Sequence, residues 1–219
     1  MDELLARLDA LAPGHAMFDL DGTLISGDIG EATLRRRIQD GPLPPAARAM
    51  LGDADPFGAY EALGPVPQVV VAVQALAGWT AADLDRAVED AFLSGEVAVR
   101  PEVAALAEAV GRRHQVWILT GSAELLGVAC ARRLGIRHVT GVRAVMAGAR
   151  ITEEIVFPVS CSEGKVDVCR QVLGEERPVF AIGDSPWDVH VLRHAHVACV
   201  TGRWGLRGDA PYPSFPRSS

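Results

Sequence analysis

His15-Ala16-Met17-Phe18-Asp19-Leu20-Asp21-Gly22-Thr23-Leu24 is the stretch on which the reading of this 219-residue chain turns. Its first four residues form a short apolar strand that runs, without a spacer, into two carboxylates two positions apart. Gly22 permits a tight backbone turn directly behind them. Two acids at a strand end can divide labour, one attacking as a nucleophile while the other manages a proton. A bare Asp-x-Asp-Gly also occurs as an acidic turn that caps a helix, so the stretch gains meaning only from what lies around it.

Upstream, residues 2–12 place Leu4, Leu5, Leu8 and Leu11 on one side of an amphipathic helix, which Pro13-Gly14 ends. Downstream, residues 26–99 carry little strand signal. Helical patterns there are separated by breakers such as Gly41-Pro42-Leu43-Pro44-Pro45, with one helix expected over 66–77. Another is expected to start behind Thr80, an N-cap with Asp83 in its first turn. From Pro101 the character changes to a regular alternation. A helix is expected over 101–113, a strand over 115–119, a helix over 122–134 closed by Gly135, and a hairpin around Gly148 within 138–155. A helix over 163–173, a strand over 179–182, a helix over 186–194 and a strand over 197–200 follow. Alternation of this kind implies an α/β fold, a three-layer α/β/α, Rossmann-like parallel sheet covered on both faces. The expected organisation is a core of residues 1–25 and 100–204, an all-helical insertion over 26–99, and an irregular tail over 205–219.

Composition narrows the function classes. The formal charge is −7 and the pI about 5.4, which argues against a nucleic-acid binder. The basic run Arg35-Arg36-Arg37 reads as a solvated helix face. Cys130, Cys161, Cys169 and Cys199 contain no Cys-x-x-Cys pair and suit reduced, buried thiols in a cytoplasmic protein. The acidic, charged N-terminus does not resemble a secretory signal, and the longest apolar run, 69–77, is too short to span a bilayer. One bias stands out: of 21 basic residues all are Arg except Lys165. A lone Lys is either chance or a position that needs a compact ammonium where a planar guanidinium will not fit.

Three further groups sit past expected strands or at helix starts, where open α/β sheets gather their ligands. Thr120-Gly121-Ser122 offers a hydroxyl and helix-start amides to an anion, or is an ordinary N-cap. Lys165 follows Ser162-Glu163-Gly164 just inside a helix. In Gly183-Asp184-Ser185-Pro186-Trp187-Asp188, two acids four residues apart suit a hard, oxygen-liganded cation such as Mg²⁺, or a capped helix with a first-turn acid. His114, His138, His190, His194 and His196 show no ligand spacing and read as surface or satisfied core residues, and Trp187 reads as packing over the loop.

Together the four groups resemble the haloacid-dehalogenase-like (HAD) hydrolase superfamily, in order as well as in spacing. Phe-Asp-Leu-Asp-Gly-Thr-Leu looks like its first motif and Leu-Thr-Gly-Ser its second. Lys165 stands at the third, and Gly-Asp-Ser-x-x-Asp looks like the fourth. The insertion behind the first motif looks like the first cap type. With Ser-Gly-Asp at 26–28, the chain is most similar to the phosphoserine-phosphatase-like branch.

That resemblance implies a Mg²⁺-dependent phosphomonoester hydrolase with Asp19 as nucleophile, forming an aspartyl-phosphate, and Asp21 as general acid and base. Asp19, the Asp21 backbone carbonyl and Asp184 would hold Mg²⁺, with Asp188 a further ligand or a group that orients the ligands. Lys165 would neutralise charge, and Thr120, Gly121, Ser122 and Gly22 would meet the phosphoryl group. Asp28 lies where phosphoserine phosphatases carry an acid for the substrate amine, although helix capping would explain it equally. The cap arginine that those enzymes use for the substrate carboxylate has no counterpart in Phe57–Leu63, which puts phosphoserine itself in doubt. Residues 27–100 carry 11 acids and six arginines, compatible with an amine-bearing substrate or with solubility alone. The expected partner is a small phosphorylated metabolite, with neither nucleic acid nor membrane. Phosphotransferase or phosphomutase chemistry, and a phospho-accepting receiver domain, are the alternatives.

Overall fold

The computed structural model describes residues 2–201. The expected irregular tail, together with residues 202–204, lies outside them. In chain order the helices are α1 (Asp2–Asp9), α2 (Ile29–Gln39), α3 (Pro45–Leu51), α4 (Pro56–Glu61), α5 (Pro65–Gln74), α6 (Ala81–Ser94), α7 (Pro101–Gly111), α8 (Glu124–Leu134), α9 (Gly164–Leu173) and α10 (Val189–His194). The strands are β1 (His15–Phe18), β2 (Ile25–Ser26), β3 (Ala98–Val99), β4 (Gln115–Ala123), β5 (His138–Ala147), β6 (Arg150–Val156), β7 (Phe180–Gly183) and β8 (Val197–Val200).

The main sheet has six strands in the order β6-β5-β4-β1-β7-β8. All neighbours are parallel except β5 and β6, the hairpin turned at Gly148. β1 is central because it is apolar on both faces, as a strand covered by helices on either side must be. Ala16, Met17 and Phe18 are buried, and Phe18 meets Phe180 of β7 edge to face at 5.4 Å. The chain leaves β1 for β4 on one side and returns to β7 on the other. Strand order therefore reverses about β1, and a crevice opens beyond its carboxyl end. That edge carries Asp19, Thr120 and Asp184.

The stretch between β1 and β4 begins and ends in a two-stranded antiparallel ribbon. Ile25 pairs with Val99 and Ser26 with Ala98, where the sequence suggested no strand. Between them lie α2–α6. Leu34, Ala47, Leu51, Tyr60 and Val71 pack together as a small core of their own. α6 starts as expected, with Thr80 and Asp83 forming a reciprocal capping box worth on the order of 1 kcal/mol. The insertion also rests on the sheet. The Gly78 amide donates to the Ile151 carbonyl at 2.8 Å, the Ile151 amide to the Trp79 carbonyl at 2.9 Å, and α6 pairs with α8 through Asp85–Arg132 and Glu89–Arg133.

Several expectations shift. β4 runs on to Ala123, and α8 begins at Glu124 instead of Ser122. After a register shift Ala123 pairs with Val142, while the Ser122 amide is taken by Thr120 Oγ1 at 2.9 Å. The helix expected over 186–194 is a 3₁₀ turn (Pro186–Asp188) followed by α10, because Ser185 and Asp188 cap one another. Arg35 and Arg36 are exposed, as expected of a solvated face, and Arg37 is half-buried, but each is engaged. Arg35 lies over the Phe57 ring at 3.4 Å, Arg36 pairs with Asp40 and Asp90, and Arg37 donates to the Ala75 and Pro42 carbonyls. The four cysteines are buried and free. His114 is buried with neither ring nitrogen hydrogen-bonded among the described residues, so it is not a satisfied core histidine.

Candidate active site

Asp19 leaves the end of β1 with its amide donating to the Ile182 carbonyl of β7 at 3.0 Å, which fixes the backbone just where pairing ends. Its carboxylate is buried. Oδ2 accepts from Thr23 Oγ1 at 3.1 Å, and Oδ1 accepts from Lys165 Nζ at 2.7 Å. Burial pushes its pKa up to about 8; Lys165 opposes the shift, while Asp188 and Asp21 add to it. Thr23 belongs to the first motif but was not singled out from the sequence. Here it aims the carboxylate.

Asp21 points to the other side of the turn. Oδ1 accepts from the Ile29 amide at the start of α2 at 2.7 Å, and Oδ2 accepts from Thr120 Oγ1 at 3.0 Å and Ser122 Oγ at 2.8 Å. The hydroxyls of the second motif are thus committed to Asp21, and the Ser122 amide to Thr120. Burial, with Asp28 nearby, raises the Asp21 pKa to about 7 against the pull of those hydrogen bonds. Gly22 has φ +73°, and a Cβ there would stand 2.1 Å from Asp184 Oδ2, so no other residue fits. Its amide donates to the Gly27 carbonyl at 3.0 Å. Gly22 therefore shapes the turn and does not present a free amide.

Lys165 sits in the first turn of α9. Gly164 lets that turn lie against the Val159 carbonyl, which a Cβ would approach to 2.1 Å. Lys165 is 4% exposed, and its ammonium bridges Asp19 to Asp188 Oδ1 at 2.5 Å. Burial disfavours its charge, but Asp188 and Asp19 outweigh burial and hold its pKa above the usual lysine range. Asp188 Oδ2 accepts from the Asp184 amide, the Ser185 amide and Ser185 Oγ at 3.2, 3.2 and 3.0 Å. Asp188 is thereby the clasp of the fourth-motif loop as well as a partner of Lys165.

Carboxylate oxygens of Asp19, Asp184 and Asp188 lie within 4.8 Å of one another, all buried. Buried carboxylate oxygens gathered at this spacing are an arrangement that suits a divalent cation. The donors are hard oxygens, as Mg²⁺ requires, so these residues fit the expected ion.

The site opens into a cavity of about 380 Å³. Asp19, Asp21, Gly121, Ser122, Lys165 and Asp184 line its floor, while Asp28, Glu31 and Tyr60 line the insertion side. Trp187 also lines it and is 38% exposed, so it stands at the cavity wall. Ser160, overlooked in the sequence, lines the cavity with a buried hydroxyl that has no partner among the described residues.

Arg100 is a third residue that the sequence did not reveal. It follows β3, where the chain returns from the insertion, and donates to the Gly22 carbonyl at 2.7 Å, to Glu102 and, at 2.9 Å, to Thr201 Oγ1. The ion pair with Glu102 is only 12% and 16% exposed at its two side chains. Arg100→Ala leaves Glu102 and the Gly22 carbonyl unpaired and is expected to cost about 1–3 kcal/mol. It should also lower kcat more than it raises KM, because the Asp19–Asp21 turn loses its tether. Thermal melting and steady-state kinetics check this. A melting midpoint and a kcat both equal to wild type would remove Arg100 from the account.

A family model described as haloacid dehalogenase-like hydrolase matches residues 16–193. Among curated proteins none matches significantly. A solved protein of unknown function from Bordetella pertussis Tohama I superposes with TM-score 0.70 at 19% identity, covering 94% of this chain and 99% of that one. A HAD family hydrolase from Salmonella enterica serovar Typhi gives 0.61 at 18%, covering 94% and 68%. A phospho-aspartyl intermediate analogue of phosphoserine phosphatase gives 0.62 at 14%, covering 95% and 96%. At these identities the likeness establishes the shared fold.

Proposed function

We propose, for a chain that belongs to the haloacid dehalogenase-like hydrolase family, a Mg²⁺-dependent phosphomonoesterase that works through an aspartyl-phosphate on Asp19. The observation that carries this reading is the buried Lys165 ammonium held between Asp19 and Asp188, with Asp21 poised separately on Thr120 and Ser122. A nucleophile whose oxygen is already paired to a cation can meet an anionic phosphate without prohibitive repulsion.

Asp19 attacks phosphorus, the new O–P bond forms, and the ester bond to the leaving alkoxide breaks. Asp21, its pKa raised to about 7, gives its proton to that alkoxide. It then takes a proton from water as the water oxygen attacks the same phosphorus, releasing phosphate and restoring the Asp19 carboxylate. Lys165 faces the phosphoryl oxygens, while Thr120 and Ser122 act through Asp21 and Asp188 through Lys165 and the Asp184 loop. Mg²⁺, when bound by Asp19, the Asp21 carbonyl and Asp184, supplies further charge neutralisation at the phosphoryl group.

Residues 26–99 serve in this reading as a cap that shields the reaction from water and contributes the substrate-facing side of the cavity. The substrate is a small phosphorylated metabolite, and Asp28 supports an amine on it. Four buried, free thiols support a cytoplasmic setting. A phosphomonoester panel assayed with and without Mg²⁺ tests the activity. Turnover that is indifferent to Mg²⁺ and EDTA would remove the ion from the reading.

Asp21→Asn is expected to lower turnover by roughly 10²–10⁴-fold, since neither protonation of the alkoxide nor activation of water retains its agent. The phosphorylated enzyme should then accumulate in a rapid acid quench. Wild-type kcat and an unchanged pH–rate profile would deprive Asp21 of its role.

A further inference from the structure

The cavity wall opposite Lys165 describes the leaving group. Asp28 and Glu31, at the N-terminal end of α2, line it, and Tyr60 of α4 closes it. Capping accounts for one Asp28 oxygen, which accepts from the Glu31 amide at 2.9 Å. It accounts for neither Glu31 nor Tyr60. Tyr60 is 6% exposed, and its hydroxyl has no hydrogen-bond partner among the described residues. Burial and the neighbouring carboxylates of Asp28, Glu31 and Asp21 push its pKa upward, so it remains a neutral phenol able to donate or accept. Between these polar groups the wall is apolar, formed by Val69, Val73, Leu76 and Leu126.

Among the described cavity residues Lys165 is the sole basic one, and it is engaged at Asp19. The arginines between β2 and α7 are committed elsewhere: Arg35 to Phe57, Arg36 to Asp40 and Asp90, Arg37 to backbone carbonyls, Arg48 to Asp53, Arg86 to Asp83, and Arg100 to Gly22 and Glu102. A substrate carboxylate entering this wall would face two acids and no cation. An ammonium would find two acids and an unused hydroxyl, with apolar surface for its short carbon chain.

We propose that the substrate is the phosphomonoester of a small cationic amino alcohol that carries no carboxylate, its ammonium seated among Asp28, Glu31 and the Tyr60 hydroxyl. This deepens the phosphomonoesterase reading and rests on it. The discrimination is of the kind in which the wrong substrate leaves a charge unpaired in a closed site.

The test compares kcat/KM for O-phosphoethanolamine, O-phosphoserine, glycerol phosphate and p-nitrophenyl phosphate with the Mg²⁺-loaded full chain. O-Phosphoethanolamine is expected to exceed both O-phosphoserine and glycerol phosphate by at least about tenfold. Glu31→Lys should reverse the order of O-phosphoethanolamine and O-phosphoserine. Calorimetric binding of the two amino compounds to Asp19→Asn should give the wild-type ranking without turnover. If p-nitrophenyl phosphate is cleaved but O-phosphoserine or glycerol phosphate equals or betters O-phosphoethanolamine, the amino-alcohol proposal falls and the phosphatase reading stands. If no ester is cleaved, both fall.

Discussion

Asp19→Asn is expected to be folded and to lose phosphomonoesterase activity by roughly 10⁴-fold or more, the scale of removing a nucleophile outright. The substitution keeps the shape of the side chain and leaves one acceptor oxygen, for Lys165, while the new amide nitrogen stands where Thr23 donated. What it removes is the oxygen charge that attacks phosphorus. Stability should move the other way. Asp19 is buried beside Asp21 and Asp188, and its pKa in the fold is about 8 against an ordinary value of 3.8. A carboxyl with a raised folded pKa stabilises the fold below the unfolded value, and that contribution is lost as pH rises through the folded value. At neutral pH without added cation, its ionisation therefore works against the fold. Asn, which does not ionise, should leave the melting midpoint equal or higher in metal-free buffer, even though the Lys165 ammonium then meets a neutral oxygen in place of a carboxylate. An inactive variant with a markedly lower midpoint would mean that Asp19 acts structurally, and an active one would remove the nucleophile.

Lys165→Arg should cost about 10²-fold or more in kcat/KM, the magnitude associated with losing one well-placed donor to a developing negative charge. Formal charge is preserved, so the loss would come from shape. The ammonium sits between two carboxylate oxygens at 2.7 and 2.5 Å, in a buried pocket shaped for a single nitrogen. A guanidinium is planar and wider and presents its donors as a fork. To enter, it must push back the first turn of α9 or the Asp188 side chain. Moving Asp188 also releases the Asp184 and Ser185 amides that it clasps. Overpacking should add about 1–3 kcal/mol of destabilisation, readable as a lower melting midpoint. Lys165→Met, which keeps the length but not the charge, should be at least as inactive. If Lys165→Arg turns over within a few-fold of wild type, the compact-ammonium argument is wrong, and the single lysine of this arginine-rich chain is a coincidence of composition.

The parts of the site that were legible in the sequence are those where strand, turn and chemistry are contiguous. His15–Phe18 is apolar on both faces and runs straight into Asp19 and Asp21, so strand and carboxylates are read together. Asp184 and Asp188 are likewise tied to β7. Lys165 was legible through composition, since it interrupts a uniform arginine preference. The start of α8 was not, because Thr-Gly-Ser has the chemistry of an N-cap. Only the fold shows that Thr120 Oγ1 takes the Ser122 amide and both hydroxyls turn to Asp21. Arg100 was hidden because its role depends on a ribbon of two residues per strand joining Ile25 to Val99 across the insertion. Thr23 and Ser160 were hidden because a small hydroxyl residue carries no periodic signal. Those features rest on contacts between residues far apart in the chain or on the direction of a single side chain, which pattern and propensity do not encode.

The central claim is that Asp19 is phosphorylated during turnover. The most direct measurement is a single-turnover reaction with Mg²⁺ and a hydrolysed phosphomonoester, quenched in acid within the first turnover and mapped by peptide mass spectrometry. The account predicts one phosphoryl group on the peptide containing Asp19, discharged on longer incubation, accumulating in Asp21→Asn and absent from Asp19→Asn. Free phosphate formed at full rate with no phosphorylated peptide in either Asp21→Asn or wild type, or a phosphoryl group on any other residue, would contradict it.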